Sequence, residues 1–557
     1  MINAAKESGL EKDKLFNFRP AFFAALSLVA GIVFCYYKIL HGVSAWWLVL
    51  LLPVAVMPFF FVKDRADGVK RVLALCMLAL FFLTGFIAFR AQMYDYKDCT
   101  YYKGDYAVTG TVVKKSLGDQ SVLLVLDDLT FDGEEVDGQL NAYLPTSYFE
   151  KLRIADVLVL EGSVKTNTDY FGDYGFQASR IGDKVRYTIS SMDGCVVAGS
   201  SDNVFLLVRR RVENILYMGM DETTASVMLA VLTGNTSGME NGLLENMRFG
   251  GIAHIFAVSG LHVGALYAFC LLLFNKTKMR FLPKLVRFLL LAFLLVFYAG
   301  VCGFAPSILR AMTLCLVGYF MRLLGSKSDG LNVLGIAAIL ILVFAPVSLF
   351  EIGFQLSFMA CLGILLLSKR IGQVCDELYI RFRKRFPRKL TKEEKETLDK
   401  GDTLPLTMGE KTLRFFTSLL SASLAAQITT APLQYIAFGY LSGWALVLNL
   451  FFVPLVSAVF ALLLALVAVA CLLPSICSGV ILYLPLVLLN TLLLLFEVVD
   501  FSTFAFIGVQ LSGESCVCYY GGVTLLSDKW NISQKQRRWL AIACFVAFIV
   551  ILALLNL

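Results

Sequence analysis

The sequence predicts an α-helical polytopic membrane protein of about 13 transmembrane helices, plus re-entrant and interfacial helices, with one small inserted extracytoplasmic β-barrel domain. Three observations indicate this class. Of the 557 residues, 58% are hydrophobic and only 16% are charged, whereas a soluble protein is about 25% charged. Long apolar runs recur along the chain. One polar stretch, with a side-chain period of two, interrupts them.

The apolar runs set the number of crossings. A helix rises about 1.5 Å per residue, so about 20 apolar residues span the hydrocarbon core. The stretch Gly443–Leu473 is too long for one upright span and contains Pro454, which favours a re-entrant piece followed by a helix. Gly513–Leu526 is a weaker candidate for one more crossing. The clear runs lie at residues 20–38, 44–62, 71–89, 254–274, 284–301, 305–324, 331–347, 351–368, 414–437, 454–473, 479–498 and 538–556.

Basic residues assign the two sides of the membrane. Cytoplasmic loops are enriched in Lys and Arg, and the N-terminus, the loop 63–71 and the loop 369–414 all have an excess of them. The N-terminus is therefore predicted to be cytoplasmic and residues 91–250 extracytoplasmic. The predicted parts are a three-helix membrane segment, the β domain, interfacial helices and the main transmembrane domain, at residues 1–90, 91–200, 201–250 and 251–557.

The polar stretch at residues 91–200 predicts a small barrel. Five segments of alternating or β-branched residues lie between Gly and Asp turns, and the common small five-stranded barrel is the OB-fold. The stretch has 10 Lys/Arg and 17 Asp/Glu. Because a non-specific nucleic-acid binder needs a basic face, this charge argues against simple electrostatic capture by the domain.

Cysteines and arginines flank the predicted barrel. Cys99 and Cys195 lie at its two ends in an oxidising compartment, which suggests a disulfide, with two free thiols as the alternative. The segments Val204–Met218 and Glu222–Thr233 are amphipathic and suit the membrane interface. The arginines at 209–211 are expected to anchor lipid headgroups, and contact with a polyanionic substrate is the alternative.

The most unusual stretch is Gly250–Gly264, at the outer start of a predicted span. It contains His254 and His262, two of the three histidines, around the step Ser259-Gly260. Ionisable groups at membrane depth usually face a protein interior or a wet cavity, so these residues are candidates for lining or gating a pore. A packing seam is the alternative, and a Ser259–His262 nucleophile pair is a weaker third interpretation.

Arg310 is the second polar feature, in the outer third of its predicted helix. A buried cation requires either an anionic substrate or an acidic partner, for which Glu351, Glu497 and Asp500 are available. An internal ion pair and a substrate contact both remain open.

Uncharged polar residues occur at predicted helix breaks. Gln355 lies near the start of one span, Gln427–Gln434 surround Pro432, and Asn449 precedes Pro454. Broken helices are tolerated only beside protein or water. These residues therefore predict a hydrated path through residues 250–460.

The composition argues against metal and nucleotide chemistry. Three histidines are too few for a multi-histidine metal site, and no P-loop pattern occurs. We expect no metal, no cofactor and no ATP hydrolysis by this chain.

Several segments occur in a recognisable order: Leu232–Asn235, Gly251–Val263, Pro306 with Arg310-Ala311, Gly353–Ser357, and Asn449 with Pro454. They resemble the signature of the ComEC family of competence membrane proteins, and the likeness covers nearly the whole chain from about residue 20. The polar stretch is similar to the OB-like domain of this family, with Phe171–Tyr174 at the place of a Phe-Asp-Tyr-like motif. Val258 and Asn235 stand where the family pattern leads us to expect Ile and Asp.

The resemblance implies a channel in the bacterial inner membrane that passes single-stranded DNA inward during transformation, driven by a cytosolic ATPase. Many family members continue into a metallo-β-lactamase-like domain, and no His-x-His-x-Asp-His motif precedes Leu557. We therefore expect a channel without its own nuclease, not an enzyme. The expected partners are single-stranded DNA, the ATPase motor and membrane lipids; a separate nuclease and a second copy of the chain are further candidates.

The alternative function is transport or export of another anionic polymer or a small solute on the same scaffold. The acidic β domain favours this alternative.

Overall fold

The computed structural model describes most of the chain as two compact units. The first unit comprises Arg19–Ser357 and Pro454–Thr503, and the second comprises Phe358–Val453 and Phe504–Leu557. The described residues are 19–41, 68–118, 121–149, 151–167, 169–172, 175–256, 260–276, 281–325, 329–385, 408–472, 483, 485, 487–488, 499, 501–507, 511–527 and 533–556.

Local sequence sets where several helices of the first unit begin. Asn203, Asp221 and Asp329 accept hydrogen bonds from backbone N–H groups of the first helical turn, which satisfies donors that have no intrahelical partner. Pro306 occupies the first turn of its helix, where its missing N–H costs nothing. The helices are α1 (Pro20–His41), α2 (Gly68–Lys97), α3 (Ala178–Gly182), α4 (Val204–Gly219), α5 (Glu222–Thr233), α6 (Asn241–Phe249), α7 (Ala253–Phe256), α8 (Gly260–Lys276), α9 (Lys284–Val301), α10 (Pro306–Leu323) and α11 (Gly330–Phe344).

Helices α1 and α2 pack in parallel at very close range. A Cβ atom on Gly31 would overlap the carbonyl of Phe82, and Gly85 approaches α1 equally closely. Ser27 Oγ donates to the Leu78 carbonyl at 2.7 Å. Small residues allow helix backbones to approach in this way inside a membrane. Because the contacting positions increase together along both helices, the two helices run in the same direction.

The β domain attaches at the end of α1. Arg19 pairs with Asp329, so α1 and α11 begin side by side. Tyr36, near the end of α1, stacks on Phe350 after α11 at 4.4 Å between ring centroids. Phe176 of the β domain lies 5.5 Å from the same Phe350 ring. The domain is therefore at the end of these helices opposite to Arg19.

Five long strands of the β domain pair in a closed circuit. β1 pairs with β2 and β5, β5 with β8, β8 with β4, and β4 with β2; only the β4–β8 pair is parallel. Inward side chains from all five strands fill the interior, and Val108, Leu124, Leu140, Leu158 and Ile189 are fully buried. The five predicted strands are present. The strands are β1 (Lys103–Leu117), β2 (Val122–Phe131), β3 (Glu134–Val136), β4 (Gln139–Leu144), β5 (Asp156–Thr166), β6 (Phe171–Gly172), β7 (Gly175–Phe176) and β8 (Val185–Ser200).

The second unit is built mainly of long apolar helices. Helix α12 starts in the first unit and continues into the second, while α14 starts in the second and ends in the first. A short antiparallel pair, β9 with β10, accompanies them. These elements are α12 (Ile352–Arg385), α13 (Met408–Phe438), β9 (Tyr440–Ser442), α14 (Ala445–Leu472), β10 (Ala505–Ile507), α15 (Gly513–Leu526) and α16 (Gln534–Asn556).

Within the described residues, six helices are long and apolar enough to cross a membrane. This agrees with a membrane protein, while the total of about 13 crossings stays a prediction. The predicted run 44–62 lies outside the described residues, as does most of 479–498. The six candidate spans are Pro20–Ile39, Leu73–Lys97, Lys284–Val301, Ile352–Glu377, Ala445–Cys471 and Gln534–Leu555.

The predicted re-entrant piece before Pro454 is wrong. Helix α14 continues through this proline as one element of 28 residues, about 42 Å long at 1.5 Å per residue. A helix of that length can cross the bilayer with tilt. Proline is tolerated in such helices when neighbouring groups satisfy the freed backbone.

The predicted disulfide is also not present, because Cys99 and Cys195 are both free thiols. Cys99 lies close enough to Arg186 and Tyr187, at the start of β8, to interact electrostatically with them. Cys195 lies eight residues beyond Tyr187 on the same strand, a distance of about 26 Å in extended chain. A disulfide requires Cα atoms within about 7 Å.

Replacing Gly31 by Ala should destabilise the α1–α2 pair, because the new methyl group has no room beside the Phe82 carbonyl. We expect a loss of about 2 kcal/mol, the usual cost of overpacking, measured as a lower melting temperature of the full chain in detergent. Gly409→Ala is the matched control, since a Cβ atom there meets nothing within 4 Å. Equal melting temperatures for the two variants would contradict the packing.

Both Cys99 and Cys195 should react with a thiol reagent when the unreduced chain is denatured. Peptide mass spectrometry measures the labelling at each site, and a fully reduced sample provides the reference. A linked Cys99–Cys195 peptide in the unreduced sample would overturn the free-thiol arrangement.

Candidate functional site

Helix α5 is enclosed by protein along almost its whole length. Every residue from Thr224 to Thr233 is buried, so its apolar side chains are covered by protein and not by lipid. At its C-terminal end the Leu232 carbonyl accepts hydrogen bonds from Tyr298 Oη at 2.9 Å and from Cys302 Sγ at 3.7 Å. Tyr298 lies at the end of α9 and Cys302 follows this helix directly, so the two hydrogen bonds fix the signature segment against the end of α9.

The two signature histidines have different surroundings. His262 in α8 has no exposed surface, and its ring contacts Phe460 edge-on at 4.6 Å between centroids. Phe460 also contacts Tyr298. His254 in the short helix α7 is exposed. The two histidines therefore differ in accessible surface, and a pore-lining role for either residue stays a prediction.

The Ser259-Gly260 step is partly described. Ser259 lies outside the described residues. Gly260 begins α8, and a Cβ atom on it would lie 3.4 Å from the Ala311 Cβ of α10. The signature segment therefore packs directly beside the residue that follows Arg310.

Arg310 is buried, with 4% of its surface exposed. Its Nη2 atom would lie 3.4 Å from a Cβ atom on Gly353, so the absence of a side chain on Gly353 leaves room for the guanidinium. Arg310 also interacts electrostatically with Glu351, one of its three predicted acidic partners. The predicted partners Glu497 and Asp500 lie outside the described residues.

Glu351 connects Arg310 to the β domain. Ser348 Oγ lies 3.5 Å from Glu351 Oε1, and a Cβ atom on Gly182 of α3 would lie 3.2 Å from the same oxygen. Burial raises the pKa of Glu351; the carboxyl of Asp183 adds to the rise and Arg310 opposes it. Burial also raises the pKa of Asp183. Two carboxyl groups and one guanidinium thus lie at one junction, in which Arg310 is buried, Glu351 is half-buried and Asp183 keeps exposed surface.

Gln355 stabilises the start of α12 at this junction. Its Nε2 donates to the Leu349 carbonyl at 3.0 Å, and its backbone N–H donates to the Glu351 carbonyl at 3.1 Å. The amide therefore caps the turn that carries Glu351. Gly260, Arg310 and Gln355, predicted from three separate motifs, lie around one junction.

Arginines of α4 hold the β domain and do not all face lipid. Arg210 Nη1 bonds Asp156 Oδ1 at 2.9 Å, and buried Arg209 donates to the Val113 carbonyl at 3.4 Å. Arg211 is exposed. The prediction of a lipid-anchoring triple arginine is therefore wrong for two of its three members, because Arg209 and Arg210 bind protein oxygens.

Lys115 of β1 forms the other half of this attachment. Its Nζ lies 3.5 Å from Glu213 Oε1 and donates to the Leu152 carbonyl at 3.2 Å. The Lys115 carbonyl accepts a hydrogen bond from Ser237, which also bonds Asn235 of the signature segment. The β domain and the signature segment are consequently fixed to each other.

Asn449 belongs to the second unit, in the first turns of α14. Its Oδ1 atom is buried and accepts no hydrogen bond from the described residues. The motif Phe171–Tyr174 is only partly described, because residues 173 and 174 lie outside the described part.

Sequence reasoning missed several residues that hold the site together. Glu213, Tyr298, Phe460 and Asp183 belong to no predicted motif. For Lys115 a signal existed: two consecutive lysines in a predicted strand point to opposite faces, so one of them must turn inward and needs an acidic partner.

Comparisons with known proteins point to the same part of the chain. The competence protein family model matches residues 231–532, more than half of the chain. ComE operon protein 3 of Bacillus subtilis (strain 168) is 28% identical over 192 residues, which cover 34% of this chain and 24% of that protein. The uncharacterized protein MG316 homolog of Mycoplasma pneumoniae is 30% identical over 118 residues, 21% of this chain and 29% of that protein.

Each match therefore covers less than a third of the relative's own length. No solved structure matches the chain.

Glu351→Gln should weaken the dependence of stability on pH. A carboxyl with a raised pKa in the folded chain binds its proton more tightly there. Its contribution to stability is therefore present below the unfolded pKa and is lost as pH rises through the folded pKa. We expect the wild-type melting temperature to fall more steeply than that of the variant as pH rises above about 4, the ordinary pKa of a glutamate.

The exposed carboxyl of Glu240 provides the control, and Glu240→Gln should keep the wild-type profile. Identical pH profiles for wild type and Glu351→Gln would contradict the proposed burial of this carboxyl.

Proposed function

Because the chain belongs to the competence protein family, we propose that it is an inner-membrane channel that passes single-stranded DNA into the cell. The observation that carries the proposal is the convergence of three family-matched segments on Arg310, at the helix ends where the β domain attaches. A buried cation at membrane depth is expensive and is kept where it serves transport or a structural pair.

The orientation proposed from the basic loops agrees with the helix directions. Residues 41 and 68 lie at opposite ends of the parallel helices α1 and α2, as a crossing at residues 44–62 requires. Arg19 and Asp329 lie at the end away from the β domain. We therefore propose a cytoplasmic N-terminus, an extracytoplasmic β domain and a multi-pass chain in the inner membrane.

We further propose that the closed circuit of five strands is an OB-like barrel. It serves as a frame at the outer end of the channel, because buried ion pairs fix it to α4.

In the proposed mechanism, Arg310 is the cation that meets DNA phosphate when the outer end opens. In the described conformation its charge faces Glu351, and the phosphate replaces this carboxylate. His254 and Ser259 line the outer entrance, and His262 supports it from the buried side. Passage requires a cytosolic ATPase, and strand degradation requires a separate nuclease, because we assign neither activity to this chain.

Transport of another anionic polymer or small solute is the second candidate function. The excess of acidic residues in the β domain, 17 against 10 basic ones, favours it, because such a surface repels DNA. Loss of solute flux with intact transformation in Arg310→Ala would favour this alternative over DNA passage.

Arg310→Ala should reduce uptake of labelled DNA in a naturally competent strain by about tenfold or more, because it removes the cation proposed to meet phosphate and a hydrogen bond to a charged group contributes about 1.5–3 kcal/mol. Arg310→Lys keeps the charge and should be less affected. The matched control is Arg322→Ala, at the exposed far end of the same helix, which should keep normal uptake.

The amount of each variant in the membrane is measured in parallel, so that loss of protein is not counted as loss of transport. Unchanged uptake after deletion of the whole gene would exclude the proposed function.

A further inference from the structure

Helix α13 contains a proline in its interior, Pro432. Proline has no backbone N–H, so the carbonyl four residues earlier, that of Ile428, receives no hydrogen bond within the helix. In an apolar setting an unsatisfied carbonyl costs several kcal/mol. The Ile428 carbonyl therefore needs a hydrogen-bond donor from outside α13.

Helix α15 supplies this donor. Tyr519 Oη donates to the Ile428 carbonyl at 2.7 Å, and the adjacent Tyr520 Oη donates to the Thr429 carbonyl at 3.1 Å. The two contacts are not equivalent. In a continuous helix the Thr429 carbonyl also receives the N–H of Leu433, whereas the Ile428 carbonyl depends on Tyr519.

The turn around Pro432 is polar and closely packed. Thr429 Oγ1 donates to the Met359 carbonyl of α12 at 2.8 Å, and a Cβ atom on Gly363 would overlap this hydroxyl. Gln434 Nε2 donates to Thr430 Oγ1 at 3.1 Å. Helices α12 and α15 thus hold the proline-containing turn from two sides.

Gln427 lies at the same turn and has a side-chain amide donor. Its Nε2 atom is buried, and no acceptor for it occurs among the described residues. A buried amide without a partner costs free energy, which a ligand oxygen would recover. The turn therefore contains a backbone carbonyl without its helical donor, and it also carries a side-chain donor for an oxygen-bearing substrate.

We propose that Tyr519 is a positioning residue for substrate passage: its hydroxyl replaces the backbone donor that Pro432 lacks and thereby fixes the turn that presents the Gln427 amide to the transported strand. The role in passage rests on the proposed function, while the contact between Tyr519 and the Ile428 carbonyl does not. The chemical group recognised is an oxygen acceptor, as in phosphates and nucleobase carbonyls.

A double-mutant cycle tests the contact without DNA. Tyr519→Phe should increase amide hydrogen exchange in residues 428–436 of the full chain in nanodiscs by about fivefold, as loss of one hydrogen bond predicts. In the Pro432→Ala background the N–H of residue 432 can reach the Ile428 carbonyl, so Tyr519→Phe should have no further effect.

Tyr520→Phe is the matched control on the neighbouring residue and should have a smaller effect, with no dependence on Pro432. An equal effect of Tyr519→Phe in both backgrounds would overturn the assignment of its hydroxyl to the proline gap.

DNA uptake per molecule of membrane protein tests the role in passage. We expect uptake to fall in Tyr519→Phe and in Gln427→Leu, and Tyr519→Phe to cause no further fall in the Pro432→Ala background. A normal uptake rate in Tyr519→Phe and Gln427→Leu would refute the positioning role. If gene deletion leaves uptake unchanged, the proposed function fails while the exchange cycle still decides the contact.

Discussion

The structure depends on one constraint: polar groups within its helices must find partners in the protein, because the apolar surroundings offer none. The Leu232 carbonyl at the end of α5 is met by Tyr298 and Cys302, and the Ile428 carbonyl below Pro432 is met by Tyr519. In each case the donor comes from a distant part of the chain. Polar side chains therefore fix how the apolar helices pack, since apolar contacts alone do not select one arrangement.

Charged groups obey the same constraint at the base of the β domain. The ion pair of Lys115 with Glu213 and that of Arg210 with Asp156 join the domain to α4, and burial of Arg209 adds a third attachment. Removing one partner of such a pair leaves an uncompensated charge. The domain is consequently held in one orientation on its helices, next to the junction of Glu351 with Arg310.

Local sequence patterns predicted the helices and strands better than they predicted which residues pack around them. The alternation of side chains gave the five strands, and apolar run length gave α1, α2 and α9, because both signals depend on one segment at a time. The continuous helix through Pro454 was not predictable, since tolerance of a proline depends on neighbours far away in sequence. The sequence likewise marked His262 as a candidate for lining or gating a pore but could not indicate that Phe460 packs against it. That Gly260, Arg310 and Gln355 lie around one junction could be seen only in the folded structure, because they belong to separate segments of the sequence.

The charge of the β domain bears on how it can serve a DNA channel. Several of its basic residues are already engaged within the protein: Lys115 pairs with Glu213, and both Lys184 and Arg186 contact Asp95 and Asp137. Basic groups attract a polyanion when they are free to release its counterions. Because Lys115, Lys184 and Arg186 are paired within the protein, they do not add to this attraction. In the proposed channel, the domain therefore acts through its position and shape at the helix ends. The proposed channel therefore relies on Arg310 to attract phosphate, and this cation lies beside Gly353 and interacts with Glu351.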